Sequence, residues 1–243
     1  MSVMHVTRKS NKRRCPMNIV LDWILAAWLF ISAGIAGGAA FYVVSKWKTL
    51  PIPRRICGVF VVVLVFHMAE EYIYPGGFQY IFNTMYNSAN PAAYPLNELS
   101  CMVTNFVAVL FFAFVLWKWG ERVWVTLTIA IFGIAQLAVH SVLGFASFGL
   151  FAQAGQALPY SPGLFNSAFL LLPLSVYCFV HLAKSKSLSM KHARASLKEI
   201  GIAIVTVIVI VAGLIMLPMQ ALGNDPDTVF TFDSNGYYDR FPE

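Results

Sequence analysis

The residues of this chain best suited to chemistry sit in one short run, Phe66-His67-Met68-Ala69-Glu70-Glu71-Tyr72. On a helix, His67, Glu70 and Glu71 fall at i, i+3 and i+4 and share one stripe. Imidazole and carboxylate together are ligands for Zn²⁺, Fe²⁺ or Mn²⁺. The same groups can also pass protons between a substrate and the protein. The run closes a stretch of Val, Leu and Phe, where a charged side chain costs about 3 kcal/mol on insertion scales and points to function.

That apolar setting extends over most of the chain. Hydrophobic residues make up 58% and charged residues 12%, against about 25% charged in a soluble domain. The mean hydropathy is +0.68. No Lys or Arg lies between Arg55 and Lys118, between Arg122 and Lys184, or between Lys198 and Arg240. A span needs roughly 20 mainly apolar residues, and six stretches qualify: 19–44, 55–74, 99–117, 123–150, 161–183 and 199–218. The expected fold is therefore all-α, a polytopic membrane helical bundle of about six transmembrane helices. A basic tail over 1–18 precedes the membrane domain of 19–218, and an acidic, aromatic tail over 219–243 follows it. The net charge of +6 comes from residues in short loops and the N-terminal tail. Lipid headgroups are their expected partners, and nucleic acid is not.

The spans bring further polar groups to the depth of His67 if each residue rises about 1.5 Å. Glu98 opens the third span and Asn105 follows two turns in. The fourth reaches that depth at His140, the fifth begins with Tyr160, Ser161 and Asn166, and Asp22 opens the first. Acids at helix starts also suit the helix dipole, and asparagines also bridge helices. Apart from Arg55 at the far edge of the second span, no Lys or Arg lies inside any span to balance Glu70, Glu71 and Glu98. Either protons or a bound cation must neutralise them. The expected metal ligands are His67, Glu70, Glu71 and His140, with a divalent transition metal such as Zn or Fe. The expected catalytic groups are Glu70, Glu71, Glu98 and Asn105. His5, His192 and His181 lie away from this depth, and the four cysteines form no CxxC pair.

Pro173 should kink the fifth span, and Gly37 and Gly38 are candidate weak points in the first. Within the 75–98 loop, Phe78, Ile81, Phe82 and Met85 recur with helical spacing, as in an interfacial helix over the mouth of the site. The tail after Pro218, with five acids and Phe230, Phe232, Tyr237 and Tyr238, is expected to be mobile and to rest on headgroups. Six spans place both tails and the 75–98 and 151–160 loops on one side, with six basic residues. The other side holds eleven and is the expected cytoplasmic face.

The string His67-Met68-Ala69-Glu70-Glu71 resembles the signature of the integral membrane family named for its HXXEE motif. The similarity extends to a later intramembrane histidine, His140, and to Tyr160-Ser161-Pro162-Gly163 opening a hydrophobic helix. It would cover roughly 55–183 and implies His67, Glu70, Glu71 and His140 as the site, without implying a reaction. His67, Glu71 and Tyr72 are also similar to the His-x-x-x-Glu-aromatic pattern of intramembrane sterol isomerases. Those proteins set a tryptophan beside the reacting cation, whereas the tryptophans here lie mostly near span ends. The expected function is a membrane-embedded enzyme acting on a lipid-soluble, isoprenoid- or sterol-like substrate, metal-dependent or acid–base. A cation or proton transporter using the same residues is the alternative.

Overall fold

The computed structural model describes residues 18–185, 193–222 and 230–241. The basic N-terminal tail and His192 lie outside the described residues, as does the side chain of Asp22. Every regular element described is helical. Six helices are long and apolar enough to cross a membrane, so the chain is a multi-pass helical membrane protein. They are α1 (Asn18–Ser45), α2 (Ile52–Tyr72), α4 (Glu98–Trp119), α5 (Val123–Phe151), α6 (Leu164–Lys184) and α7 (Ser196–Leu222). The short α3 (Phe78–Met85) lies between α2 and α4.

α2 is the most enclosed of the six. It packs against α1, α4 and α5, while α5 also holds α6 and α7. The centre of the bundle is dry and aromatic. Phe60 meets Phe112 edge-on at 4.6 Å and Phe132 at 5.4 Å, with Ile129 and Leu171 equally inaccessible. Contacts of this kind, together with close helix packing, hold spans together where lipid is as apolar as the side chains. Trp23, Trp47 and Trp117 stay exposed near span ends, as an interfacial aromatic belt requires.

Two expectations concern helix breaks. α1 runs unbroken through Gly37 and Gly38. Pro173 is accommodated by a π-helical stretch, Ser167–Leu171, directly before it, within one continuous span. Proline has no N–H for the preceding turn, and a wider turn absorbs the mismatch. Ser175 caps a carbonyl there, its hydroxyl donating to Leu171 O at 2.9 Å.

The largest correction concerns the C-terminal segment. Span six continues to Leu222, and residues 230–241 form an ordered strap across the 75–98 loop. Backbone N–H groups of Glu98, Phe232 and Tyr237 donate to Phe230 O, Ala92 O and Gly76 O. Phe232 stacks on Tyr72, while Tyr238 and Phe241 are buried against Phe151. Acids alone would have left this segment in water, but its aromatic side chains bury enough area to dock it. Gly236, at φ +59°, packs so closely on the Gly76 carbonyl that a side chain there has no space.

The strap also changes the reading of α3. Ile81 of the expected stripe is buried and Phe78 and Phe82 are half-buried, but Met85 is exposed. The polar face is enclosed as well. Asn83 donates to Pro91 O at 2.7 Å and Leu96 O at 2.8 Å and accepts from Leu96 N at 2.9 Å. Gln79 donates to Ser234 O at 3.4 Å. α3 is thus held between bundle and strap rather than lying open on the membrane surface.

Candidate metal centre

His67 and Glu71 stand one turn apart on the inner face of α2, and α5 brings His140 to them from across the bundle. Glu71 Oε1 lies 3.5 Å from His67 Nε2 and 3.2 Å from His140 Nε2. The imidazoles meet edge to face, with centroids 4.9 Å apart. One ligand atom from each of the three lies within 4.8 Å of the others, and all three residues are buried. Two of the separations match the roughly 3.3 Å edge of a tetrahedron whose ligands stand 2.0–2.1 Å from a central ion.

None of the imidazole nitrogens here is ordinarily satisfied except His140 Nδ1. His140 Nε2 has no hydrogen-bond partner, and His67 meets only the Gly163 backbone without a well-aligned bond at either nitrogen, although buried polar atoms rarely go unpaired. The Ser161 hydroxyl donates to His140 O at 2.8 Å, which uses its proton, and its oxygen lies 3.4 Å from His140 Nδ1. That arrangement favours the proton on Nδ1 and turns the Nε2 lone pair toward the Glu71 carboxylate. A lone pair and an anionic oxygen 3.2 Å apart repel unless something positive lies between them.

The neighbours fix these rings. Phe78 of α3 lies against the His140 ring at 5.1 Å. Gly163, at φ +98°, passes so close that a Cβ there would lie 2.7 Å from His140 Nε2 and 2.8 Å from Nδ1. The loop before it is pinned by Gln156, which donates to Tyr160 O at 3.2 Å and accepts from Ser147 at 2.8 Å.

Glu70 does not join the three, although its expected role was as a ligand. Its carboxylate turns to the start of α6. Oε1 accepts from the Tyr160 hydroxyl at 2.8 Å and Phe165 N at 3.0 Å. Oε2 accepts from Asn166 N and Asn166 Nδ2, both at 2.7 Å. An anion suits a helix N-terminus, and four donors compensate its burial. Burial, then the Glu70 charge, push the Tyr160 phenol well above its ordinary value, so it keeps its proton and remains a donor. Glu70→Ala should leave three of these donors without an acceptor, Asn166 Nδ2 keeping Phe66 O at 3.3 Å, at a cost of about 1–3 kcal/mol. The expected outcome is a lower Tm in detergent, with a metal content no different from that of wild type. Loss of metal equal to that of His67→Ala would show that Glu70 is a ligand after all.

The other expected site residues are placed more peripherally. Asn105 donates to the Tyr72 hydroxyl at 3.1 Å and to Cys101 O at 2.9 Å, linking α4 to α2 beside the cluster. Glu98 sits half-buried in the first turn of α4, outside the group of converging ligand atoms. His181 is in the last turn of α6, at the opposite end of the bundle. Sequence reasoning did not find the pairing of Asn105 with Tyr72. It placed Phe78 on an interfacial helix over the mouth of the site without naming His140 as its neighbour.

Residues 59–178 match the family described as "Protein of unknown function with HXXEE motif". Over these residues the chain is similar to the HXXEE family. No curated protein and no solved structure matches the chain. The HXXEE match spans all three converging residues and the Tyr160–Gly163 turn, and it stops short of the strap. Within the motif the two glutamates have separate positions: Glu71 faces the histidines, and Glu70 braces the start of the helix that follows Gly163.

Proposed function

We propose that this protein is a membrane-embedded enzyme that acts on a lipid-soluble substrate at a transition-metal centre formed by His67, Glu71 and His140. The observation that carries this reading is the convergence of three buried ligand groups, two of them histidines whose Nε2 atoms make no well-aligned hydrogen bond. Three protein ligands with a position left over is the pattern of catalytic rather than structural zinc sites. A Zn²⁺ or Fe²⁺ ion held there would supply Lewis acidity toward a substrate oxygen.

The chain's own groups define the rest of the chemistry. His67 and Glu71 are set by one turn of α2, and Ser161 and Gly163 orient the His140 ring, as outer-shell groups do at metal sites. Phe78 and α3 cover the site on one flank and exclude water. In the metal-free version of the same enzyme, Glu71 and His140, 3.2 Å apart, would exchange a proton with the substrate.

Transport of a cation or proton fits less well. Phe60, Phe112, Ile129 and Leu171 fill the middle of the bundle without accessible surface, so a polar route from the site to the opposite end has no lining there. Most of the described Lys and Arg lie at that far end, which is therefore the proposed cytoplasmic face; in a bacterium the membrane would be the plasma membrane.

Metal analysis of detergent-purified protein tests the proposal. Wild type should carry close to stoichiometric transition metal, and His67→Ala should lose it. A wild type purified and re-incubated with Zn²⁺ or Fe²⁺ that retains neither would remove the metal version. A comparison of lipid extracts from cells with and without the protein would then identify the substrate class.

A further inference from the structure

A cavity of about 530 Å³ opens between α2 and the start of α6, on the Glu70 side of α2 rather than on the side of the three converging ligands. Its size is that of a small-molecule site. Its walls are graded. Phe66, Ile73 and Phe165 form the apolar part and are each more than half exposed on the outside of the bundle, where acyl chains lie. Tyr160, Asn166 and Glu70 form the inner polar end, and the strap contributes Tyr237 and Arg240.

Only one of the two charges in this lining is available to a ligand. Glu70 is 5% exposed and both its oxygens are taken by four donors. Arg240 is exposed, its guanidinium lies over the Tyr237 ring at 4.7 Å, and it has no carboxylate partner among the described residues. The adjacent Asp239 is turned into the strap, accepting from Ser234 Oγ and Asn235 N. Arg240 is also the one described Lys or Arg at this end of the bundle. An apolar trough open to lipid, ending beneath a guanidinium with no carboxylate partner among the described residues, complements a molecule with an acyl chain and an anionic head.

We infer that this groove binds an anionic membrane lipid, with its phosphate at Arg240 and its chain along Phe66 and Phe165. The binding needs no metal and stands apart from the reaction proposed above. The strap thereby has a second use: besides covering α3, it supplies the cation that selects the headgroup.

Native mass spectrometry of the full chain in mild detergent, with phosphatidylglycerol or phosphatidylcholine added, tests this. Wild type should retain phosphatidylglycerol over phosphatidylcholine by about fivefold, the effect of one basic residue near an anionic lipid. The preference should vanish in Arg240→Gln and persist in Arg240→Lys, while Phe66→Ala weakens retention of both lipids. Equal retention by wild type, or a preference surviving Arg240→Gln, overturns the inference. Displacement of the lipid by inorganic phosphate also overturns it, because the site would then take a soluble anion. Metal content read from the same samples should be unchanged by Arg240→Gln, so failure of the groove and failure of the metal centre are separate results.

Discussion

Replacing Glu71 with glutamine should strip the purified protein of its response to chelators. The amide keeps the volume of the acid and removes its charge, so the substitution asks what neutralises Glu71 between the two imidazoles. If the positive partner is a metal ion, its affinity should fall by more than about tenfold. An ion present at 100 times its Kd stabilises the protein by about 2.7 kcal/mol, and that contribution should disappear with it. Thermal unfolding then shows a wild type whose Tm drops on chelation and a Glu71→Gln variant that starts low and does not move. If a proton is the partner, the amide replaces a neutral acid at little cost, and chelation leaves both proteins unchanged. Identical curves for wild type and Glu71→Gln, with and without chelator, would sink the metal reading.

The second large effect is expected at a residue with no side chain. Gly163 has a positive φ and lies against the His140 ring, so Gly163→Ala meets two penalties. Backbone strain alone is worth about 1–3 kcal/mol, and the new methyl must displace the imidazole or the start of α6. Tm and metal retention should fall together. Gly149 on α5 is the control, because a Cβ there has nothing within 4 Å, and Gly149→Ala should leave metal retention unchanged and Tm unchanged or slightly raised. A Gly163→Ala protein as stable and as metal-replete as Gly149→Ala would mean that the turn does not position His140.

Much of this arrangement could be read from the chain. The six spans follow from long uncharged runs, because lipid permits few alternatives to a helix of that length. His67 with Glu71 follows from i, i+4 spacing, and His140 from its depth along α5. What spacing could not resolve is the division of labour between Glu70 and Glu71. Positions i+3 and i+4 flank the same stripe on opposite sides, about 100° apart around the helix. Which one faces the neighbouring histidine depends on how α2 is rotated in the bundle. The docked strap was hidden for a different reason. Its partners Gly76, Ala92 and Glu98 are distant in sequence, and its aromatic residues fit an interface as well as a buried contact. Asn166 was legible as polar glue, but its partner Glu70 was not.

The bonds between the strap and the 75–98 loop carry a topological consequence. The two segments leave the membrane after the second and the sixth helix, and they pair through Tyr237 with Gly76 and Phe232 with Ala92. Four crossings separate them, and only an even number returns the chain to the side it left. The fold therefore contains its own parity check. A variant in which one helix failed to insert, or entered reversed, would strand the strap across the bilayer, leaving α3 uncovered and Arg240 on the wrong surface.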